Sequence, residues 1–401
     1  MKTVKNKKSW LKISIIIGLV LTFLSVGAYL FLVTSKGNKT ANTIATMTQK
    51  IDDNLPVQEK IVHMAAMGDM LAHDTIIANA KTSDGYDFAK YFTNIRSSYK
   101  DADVVFCNQE GSSAGEQFGI SGYPSFNAPT KFAADLQSGA GCNLINLANN
   151  HMGDKGTGAI NATIDEWNNL KPLGLSGANK SVDDQNKVSI STINGIKIGF
   201  VSFADFNNNQ ATPGHSVNNY HDEALVRRLV SLARSSADAV IVSMHWGVED
   251  SNVISIDQQN QANLLNSLGA DVIIGTGPHI LQKVQTIERE DGGKTIVMYS
   301  LGNMLSSQLS LNELIGGIAQ FDVIKIDNKI SIDNLSFVPT YMHYEWTLDQ
   351  SKNNDLLARK NAMIYLLNNA QEPLARSLFD TTVAIQRQYV IDTLGPEITV
   401  K

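Results

Sequence analysis

The chain has 401 residues, 43% hydrophobic, 18% charged and 7% aromatic, a composition that excludes disordered and low-complexity classes and allows one large or two modest domains. The formal net charge is −6, but residues 1–33 carry five lysines and no acid, so the remainder holds 28 basic against 39 acidic residues, a net of −11. A body that acidic is no partner for nucleic-acid phosphates, and two cysteines, Cys107 and Cys142, are too few for a disulfide scaffold or a thiolate zinc cluster.

From Ile13 to Val33 the chain runs 21 residues without a charge. As a helix that span reaches roughly 30 Å, the thickness of a bilayer core. The lysines ahead of it outnumber Lys36 and Lys39 behind it, so residues 1–12 are expected in the cytoplasm and the rest outside the cell. The span is longer than the apolar region of a secretory signal and has no small-residue cleavage site directly behind it, which favours an uncleaved anchor. The polar stretch 34–60 reads as a tether.

After Lys60 short apolar runs alternate with helical patterns, the grammar of a layered α/β domain over 61–345. The runs are IVHMAAM (61–67), DVVFCN (103–108), NLINLA (143–148), IKIGFVSFA (196–204), AVIVSMH (239–245), DVIIG (271–275) and TIVMYSL (295–301). Residues 321–337 alternate apolar and polar around Asp327-Asn328 and predict an antiparallel hairpin, added at the edge or in a second sheet. The tail 346–401 is helical by pattern.

The ends of these runs carry the chemistry. They give Gly68-Asp69 with His73 beyond, Asn108-Gln109-Glu110, Asn149-Asn150-His151 followed by Asp154, then Asp205, His245-Trp246-Gly247, Gly277-Pro278-His279 and Gly302-Asn303. Ligands of layered α/β domains sit at the carboxyl ends of strands, where such termini converge. Carboxylate, imidazole and amide oxygen together, without thiolate, suit a divalent cation such as Mn, Zn or Fe. An ion of that kind activates water and polarises a phosphoryl or carbonyl oxygen.

The blocks GDMLAHD (68–74), NQEG (108–111), NLANNHMGDKG (146–156), SMHWGVE (243–249), GTGPHILQ (275–282) and SLGNM (300–304) resemble the bacterial capsule-synthesis family, the CapA/PgsA-like poly-γ-glutamate biosynthesis proteins. The resemblance covers roughly residues 61–310. It implies a metallophosphoesterase-like fold, a β-sandwich flanked by helices, preceded here by one transmembrane helix. It also implies a role in making or exporting poly-γ-glutamate or a related anionic capsule polymer. The partners would be membrane-embedded synthase or export subunits and the polymer or its intermediate.

Carried over by position, the resemblance makes Asp69, Glu110, Asn150, His245 and His279 metal ligands and puts His151 at the substrate. Three departures stand out. Leu71 occupies the place of a first-motif histidine, Asn-Gln-Glu replaces the second-motif pattern, and Gly277 stands where the first of two fifth-motif histidines belongs. His73 is the candidate replacement for the first of these and is assigned with His151 to catalysis. One of the two metal positions of that fold is therefore expected to be weak or empty.

His63 is expected to be structural, His215 and His221 to lie in a solvated loop, and Cys107 and Cys142 to be small core residues rather than a disulfide. Trp246 is open between pocket and packing, and Asn303 between site and turn. The expected function is an anchored, extracellular component of capsule-polymer synthesis or export with a divalent-metal site of hydrolase type, acting on a phosphoester or γ-glutamyl amide. The alternatives are a non-catalytic subunit assisting a polymer synthase and an extracellular metallophosphodiesterase unrelated to capsule.

Overall fold

The computed structural model describes residues 59–401. The basic tail at 1–12, the span at 13–33 and nearly all of the tether at 34–60 lie outside the described residues. Among the described residues no helix is long and apolar enough to cross a membrane.

The chain builds strands β1 (Glu59–Leu71), β2 (Val104–Glu110), β3 (Leu144–Asn146), β4 (Gly174–Ser176), β5 (Ser189–Ile193), β6 (Ile196–Ala204), β7 (Ala239–His245) and β8 (Val272–Thr276). It continues through β9 (Leu281–Glu288), β10 (Lys294–Leu301), β11 (Asn303–Leu305), β12 (Ile315–Ile326), β13 (Lys329–Glu345) and β14 (Lys360–Leu366). The longer helices are α1 (Asp74–Ala80), α2 (Gly156–Leu170), α3 (Glu223–Ser236), α4 (Ile256–Ser267) and α5 (Val383–Leu394).

These strands make two sheets. One runs β14-β13-β12-β1-β2-β3-β4, with β11 beside the end of β1, and the other runs β9-β10-β8-β7-β6-β5. The apolar runs therefore divide between the sheets: β1, β2 and β3 are parallel neighbours in the first, and β6, β7, β8 and β10 in the second. Met64, Phe106, Phe200, Ile241, Ile274 and Met298 share the core between them, with Phe106 and Phe200 edge to face at 6.0 Å. Each such buried side chain contributes about 1.5–3 kcal/mol.

Alternate residues of the second sheet turn the other way. Val201, Val240, Val242, Ile273 and Val297 pack under Leu225, Val226 and Leu229 of α3 and Leu265 of α4. A sheet buried on both faces needs apolar residues at every position, which is why these strands read as unbroken hydrophobic runs. Asp222 caps α3, and a Ser255–Gln258 capping box starts α4. On α2 the buried residues Ala159, Ile160, Thr163, Ile164 and Trp167 fall on one helical face.

The predicted hairpin is β12–β13, turning at Asp327, but β12 pairs directly with the central strand β1 rather than lying at an edge. The expectation of a helical tail is corrected in its first half. Residues 360–366 alternate Ala362 and Ile364 inward and form β14 against β13, so a period of two displaced the helical reading. The second half does contain a helix, α5.

Cys107 and Cys142 are joined in a disulfide, contrary to expectation. Both are fully buried, and the pairing of β2 with β3 brings their Cα atoms to 5.7 Å, a bridging distance that their separation of 35 residues did not reveal.

Candidate metal centre

The two sheets meet at the carboxyl ends of β1, β2, β7 and β8. Gly68 makes that possible: a Cβ there would lie 1.8 Å from Gly302 O, so only glycine lets β1 close onto the turn before β11. Asp69 N–H donates to Gly302 O at 3.0 Å, and Asp69 stands opposite Asn303 in register.

Asp69, Glu110 and His279 each offer a ligand atom within 4.8 Å of the others, and all three are buried. His279 Nδ1 lies 3.3 Å from Asp69 Oδ2 and 3.1 Å from Asn303 Oδ1, which leaves Nε2 to face Glu110 Oε1 at 3.8 Å. His245 Nε2 lies 3.8 Å from the same Glu110 oxygen and 3.0 Å from Asn150 Oδ1. All five predicted ligands thus converge, with Glu110 equidistant from the two histidines. His279 adopts φ +61°, a left-handed conformation that costs a non-glycine residue about 1–3 kcal/mol and that surrounding contacts must hold.

Both Glu110 oxygens are buried and have no hydrogen-bond partner in the protein. A carboxylate withdrawn from water and left unbonded is costly, and a cation coordinated between it, Asp69 and the imidazoles removes that cost. The donor set, two carboxylates, two imidazoles and an amide oxygen, fits a divalent ion.

The electrostatics follow from burial and these contacts. Burial pushes Glu110 well above the usual carboxylate range; His279 opposes this, while Asp69, Glu249 and Asp154 reinforce it. Burial also acts to raise Asp69, but the His279 contact, His245 and the Gly277 N–H outweigh it and hold the carboxyl low. Burial carries His245 down to about 4, so at neutral pH it is the uncharged imidazole that binds cations. Burial acts to lower His279 too, but Glu110 and Asp69 overcome it and raise the imidazole.

The neighbouring residues orient these groups. Asn146 Nδ2 donates to Asn108 Oδ1 at 2.8 Å, and Asn108 Nδ2 donates to Asp69 Oδ1 at 2.6 Å. Trp167 on α2 donates to Gln109 at 2.8 Å, and Asn149 bonds the backbone of Gln109 and Gly111, so Glu110 is fixed from both sides. Gly277, where a second histidine was expected, instead donates its backbone N–H to Asp69 Oδ2 at 3.1 Å. Its φ is +106°, and a Cβ would stand 3.0 Å from the Trp246 backbone.

His151 and His73 both pack edge to face against Phe126, at 4.6 and 5.1 Å. His151 Nδ1 donates to Asp154 Oδ2 at 2.8 Å, and that oxygen also accepts the Phe126 N–H. His73 sits at the cap of α1, its Nδ1 taking the Ser307 N–H at 3.4 Å. Burial, with the charges of His279, Arg359 and His151, lowers it to about 3. A neutral imidazole with Nδ1 committed to the backbone forms a wall of the site more readily than it donates a proton.

Elsewhere, His63 bonds Asp322 at 2.7 Å at the other end of β1, and His221 bonds Asp205 in an exposed loop. Trp246 is packed, not pocket-lining: it stacks on Tyr299 at 5.7 Å and donates to its carbonyl. Asn303 belongs to the site through His279. Asn108 and Asp154 stand among the run-end residues but were assigned no task, and Arg359 beside His73 was not singled out. Asn108 had its place at a run end as a signal and Asp154 its spacing of three from His151.

The family model "Bacterial capsule synthesis protein PGA_cap" matches residues 63–308. A PGA biosynthesis protein CapA of Bacillus subtilis is 32% identical over 171 residues, covering 41% of this chain and 43% of the relative. A capsule biosynthesis protein CapA of Bacillus anthracis is 30% identical over 177 residues, covering 42% of this chain and 41% of the relative. The matched stretch thus spans less than half the length of either relative. A calcineurin-like phosphoesterase of Bacillus subtilis overlays on 70% of this chain and 91% of its own at 14% identity, with a TM-score of 0.44.

Proposed function

The chain belongs to the bacterial capsule synthesis protein family, and we propose that it is a membrane-anchored, outward-facing metal-dependent hydrolase serving poly-γ-glutamate or a related anionic capsule polymer. Its substrate is a phosphoester or a γ-glutamyl amide of that polymer or its intermediate, and its partners are membrane-embedded synthase or export subunits. The uncharged span at 13–33 with lysines ahead of it supports the anchor and its orientation. The Cys107–Cys142 disulfide supports the outer, oxidising side.

The observation that carries the hydrolase reading is the pair of unpartnered Glu110 oxygens among Asp69, His245 and His279. Asp69, Glu110 and His279 would hold a divalent ion, with His245 and Asn150 beside them. When bound, such an ion polarises the scissile phosphoryl or carbonyl oxygen and lowers the pKa of the attacking water. Asp154 accepts from Nδ1 and so fixes the His151 ring, leaving Nε2 as the atom that carries a proton to the leaving oxygen or nitrogen. Phe126 packs edge to face against the same ring.

One observation favours a second reading, an anchored subunit that assists a synthase without cleaving anything: Gly277 gives Asp69 an N–H where the phosphoesterase pattern has an imidazole. The two readings separate on the purified full-length chain, assayed for metal content and for hydrolysis of a phosphodiester and a γ-glutamyl anilide. Metal-dependent turnover of either supports the hydrolase. Stoichiometric metal without turnover of any substrate supports the assistant. Protease added to intact protoplasts should digest residues 59–401; protection of that domain overturns the orientation.

A further inference from the structure

One strong charge near the centre is unused by the mechanism above. Arg359 comes from the chain beyond the residues the family model matches, and it is 4% exposed. Its Nε donates to Leu356 O at 2.9 Å and its Nη1 to Ser307 O, while its guanidinium lies over the rings of Tyr344 at 4.8 Å and Trp346 at 5.5 Å. Among the described residues no carboxylate lies within ion-pair distance of it; Tyr344 bonds it and the charge of Asp74 reaches it only through space. Carbonyls and aromatic faces orient a guanidinium without neutralising it. A buried cation with no carboxylate in contact can take an anion.

Ser307 connects this charge to the site. Its carbonyl holds Arg359, its N–H reaches His73 Nδ1, and its buried hydroxyl has no partner. The next residue, Gln308, accepts from Asn303 Nδ2, and Asn303 Oδ1 contacts His279. Two consecutive residues thus lie between Arg359 and a metal-ligand candidate, and Ser307 puts an unpartnered hydroxyl beside a guanidinium that no carboxylate contacts.

We propose that Arg359 and the Ser307 hydroxyl form an anion-recognition subsite beside the metal centre, which grips a carboxylate or phosphate oxygen of the substrate next to the bond that is cut. The planar guanidinium edge and a hydroxyl donor match two oxygens of one such group. In a γ-glutamyl amide the carbon attached to the amide nitrogen carries a free carboxylate, and in a phosphorylated intermediate a second phosphate serves. This subsite rests on the hydrolase reading for its purpose, but its test reads binding and not turnover.

The test uses the metal-loaded, full-length chain in detergent and calorimetric titration with three probes: a γ-linked glutamate trimer, the same trimer with its α-carboxylates amidated, and inorganic phosphate. Arg359→Gln should weaken the acidic trimer or phosphate at least tenfold, with metal content and melting temperature unchanged. Arg359→Lys should recover part of the loss, and Ser307→Ala should weaken binding about threefold. The amidated trimer should not distinguish wild type from any variant. Loss confined to the trimer identifies a carboxylate; loss confined to phosphate identifies a phosphoryl group. If Arg359→Gln does not fold, Ser307→Ala carries the test. Wild-type affinity of a folded Arg359→Gln chain for both anions, or no anion binding by wild type, overturns the subsite. Anion binding that depends on Arg359 in a chain that hydrolyses nothing keeps the subsite and removes the hydrolase.

Discussion

His151 Nδ1 and Asp154 Oδ2 lie 2.8 Å apart, and the Phe126 N–H meets the same oxygen at 2.8 Å. Asp154 thereby sets both the tautomer and the ring plane of His151 without touching the metal ligands. Replacing Asp154 with Asn keeps the shape but removes the carboxylate that accepts from Nδ1 and fixes the ring. Turnover should fall by about 10²–10⁴-fold with metal content unchanged. Equal turnover in Asp154→Asn and wild type would detach His151 from proton transfer.

Glu110 makes an opposite pair of predictions. Glu110→Gln removes a buried carboxylate that the protein itself leaves unbonded. In chelator the variant should unfold at higher denaturant than wild type, by about 1–3 kcal/mol, while in excess Mn²⁺ the order should reverse. Titrating the metal into both chains and following their melting shows whether the curves cross.

His245 supplies a neutral nitrogen with no nearby thiol to substitute for it. His245→Ala should fold and lose at least tenfold in metal affinity, measured by competition with a fluorescent chelator. Unchanged affinity and stoichiometry would remove His245 from the ligand set.

Gly277 is fixed by backbone geometry. With φ at +106° and the Trp246 backbone 3.0 Å from any Cβ, Gly277→Ala should cost about 1–3 kcal/mol in urea denaturation and lower metal affinity through Asp69. Gly277→His, built to restore the missing imidazole, should destabilise the chain further rather than gain metal.

Far from the site, the Asp322 contact raises His63 above its ordinary value; slight burial opposes this, and the Asp322, Asp103 and Asp101 charges reinforce it. A raised folded pKa means that the pair stabilises fully below about pH 6.5, the unfolded value, and loses that contribution as pH rises through the folded one. Asp322→Asn should bring the His63 midpoint, followed by NMR of its ring proton, down toward 6.5. The contribution is small because His63 is half exposed.

Local pattern alone determined the strand runs, the helix α2, the turn at Asp327 and the placing of Asp69, Glu110, Asn150, His151, His245 and His279 at run ends. Alternation, helical spacing and the metal-binding character of side chains are properties of neighbours in sequence, and those are visible without a fold. The tertiary structure decided what depends on residues far apart. The partition of similar apolar runs into two sheets is one such decision, since β1 and β7 are equally apolar and differ only in their partners. The Cys107–Cys142 bond is another, because it depends on β2 lying beside β3. Residues 360–366 became a strand because β13 offered an unpaired edge, against a pattern that also suits a helix. Gly277 looked like a lost histidine until its N–H was seen on Asp69, 208 residues away. Arg359 carried no local mark at all, since a guanidinium becomes significant only when folding buries it out of contact with any carboxylate, beside a site built from other segments.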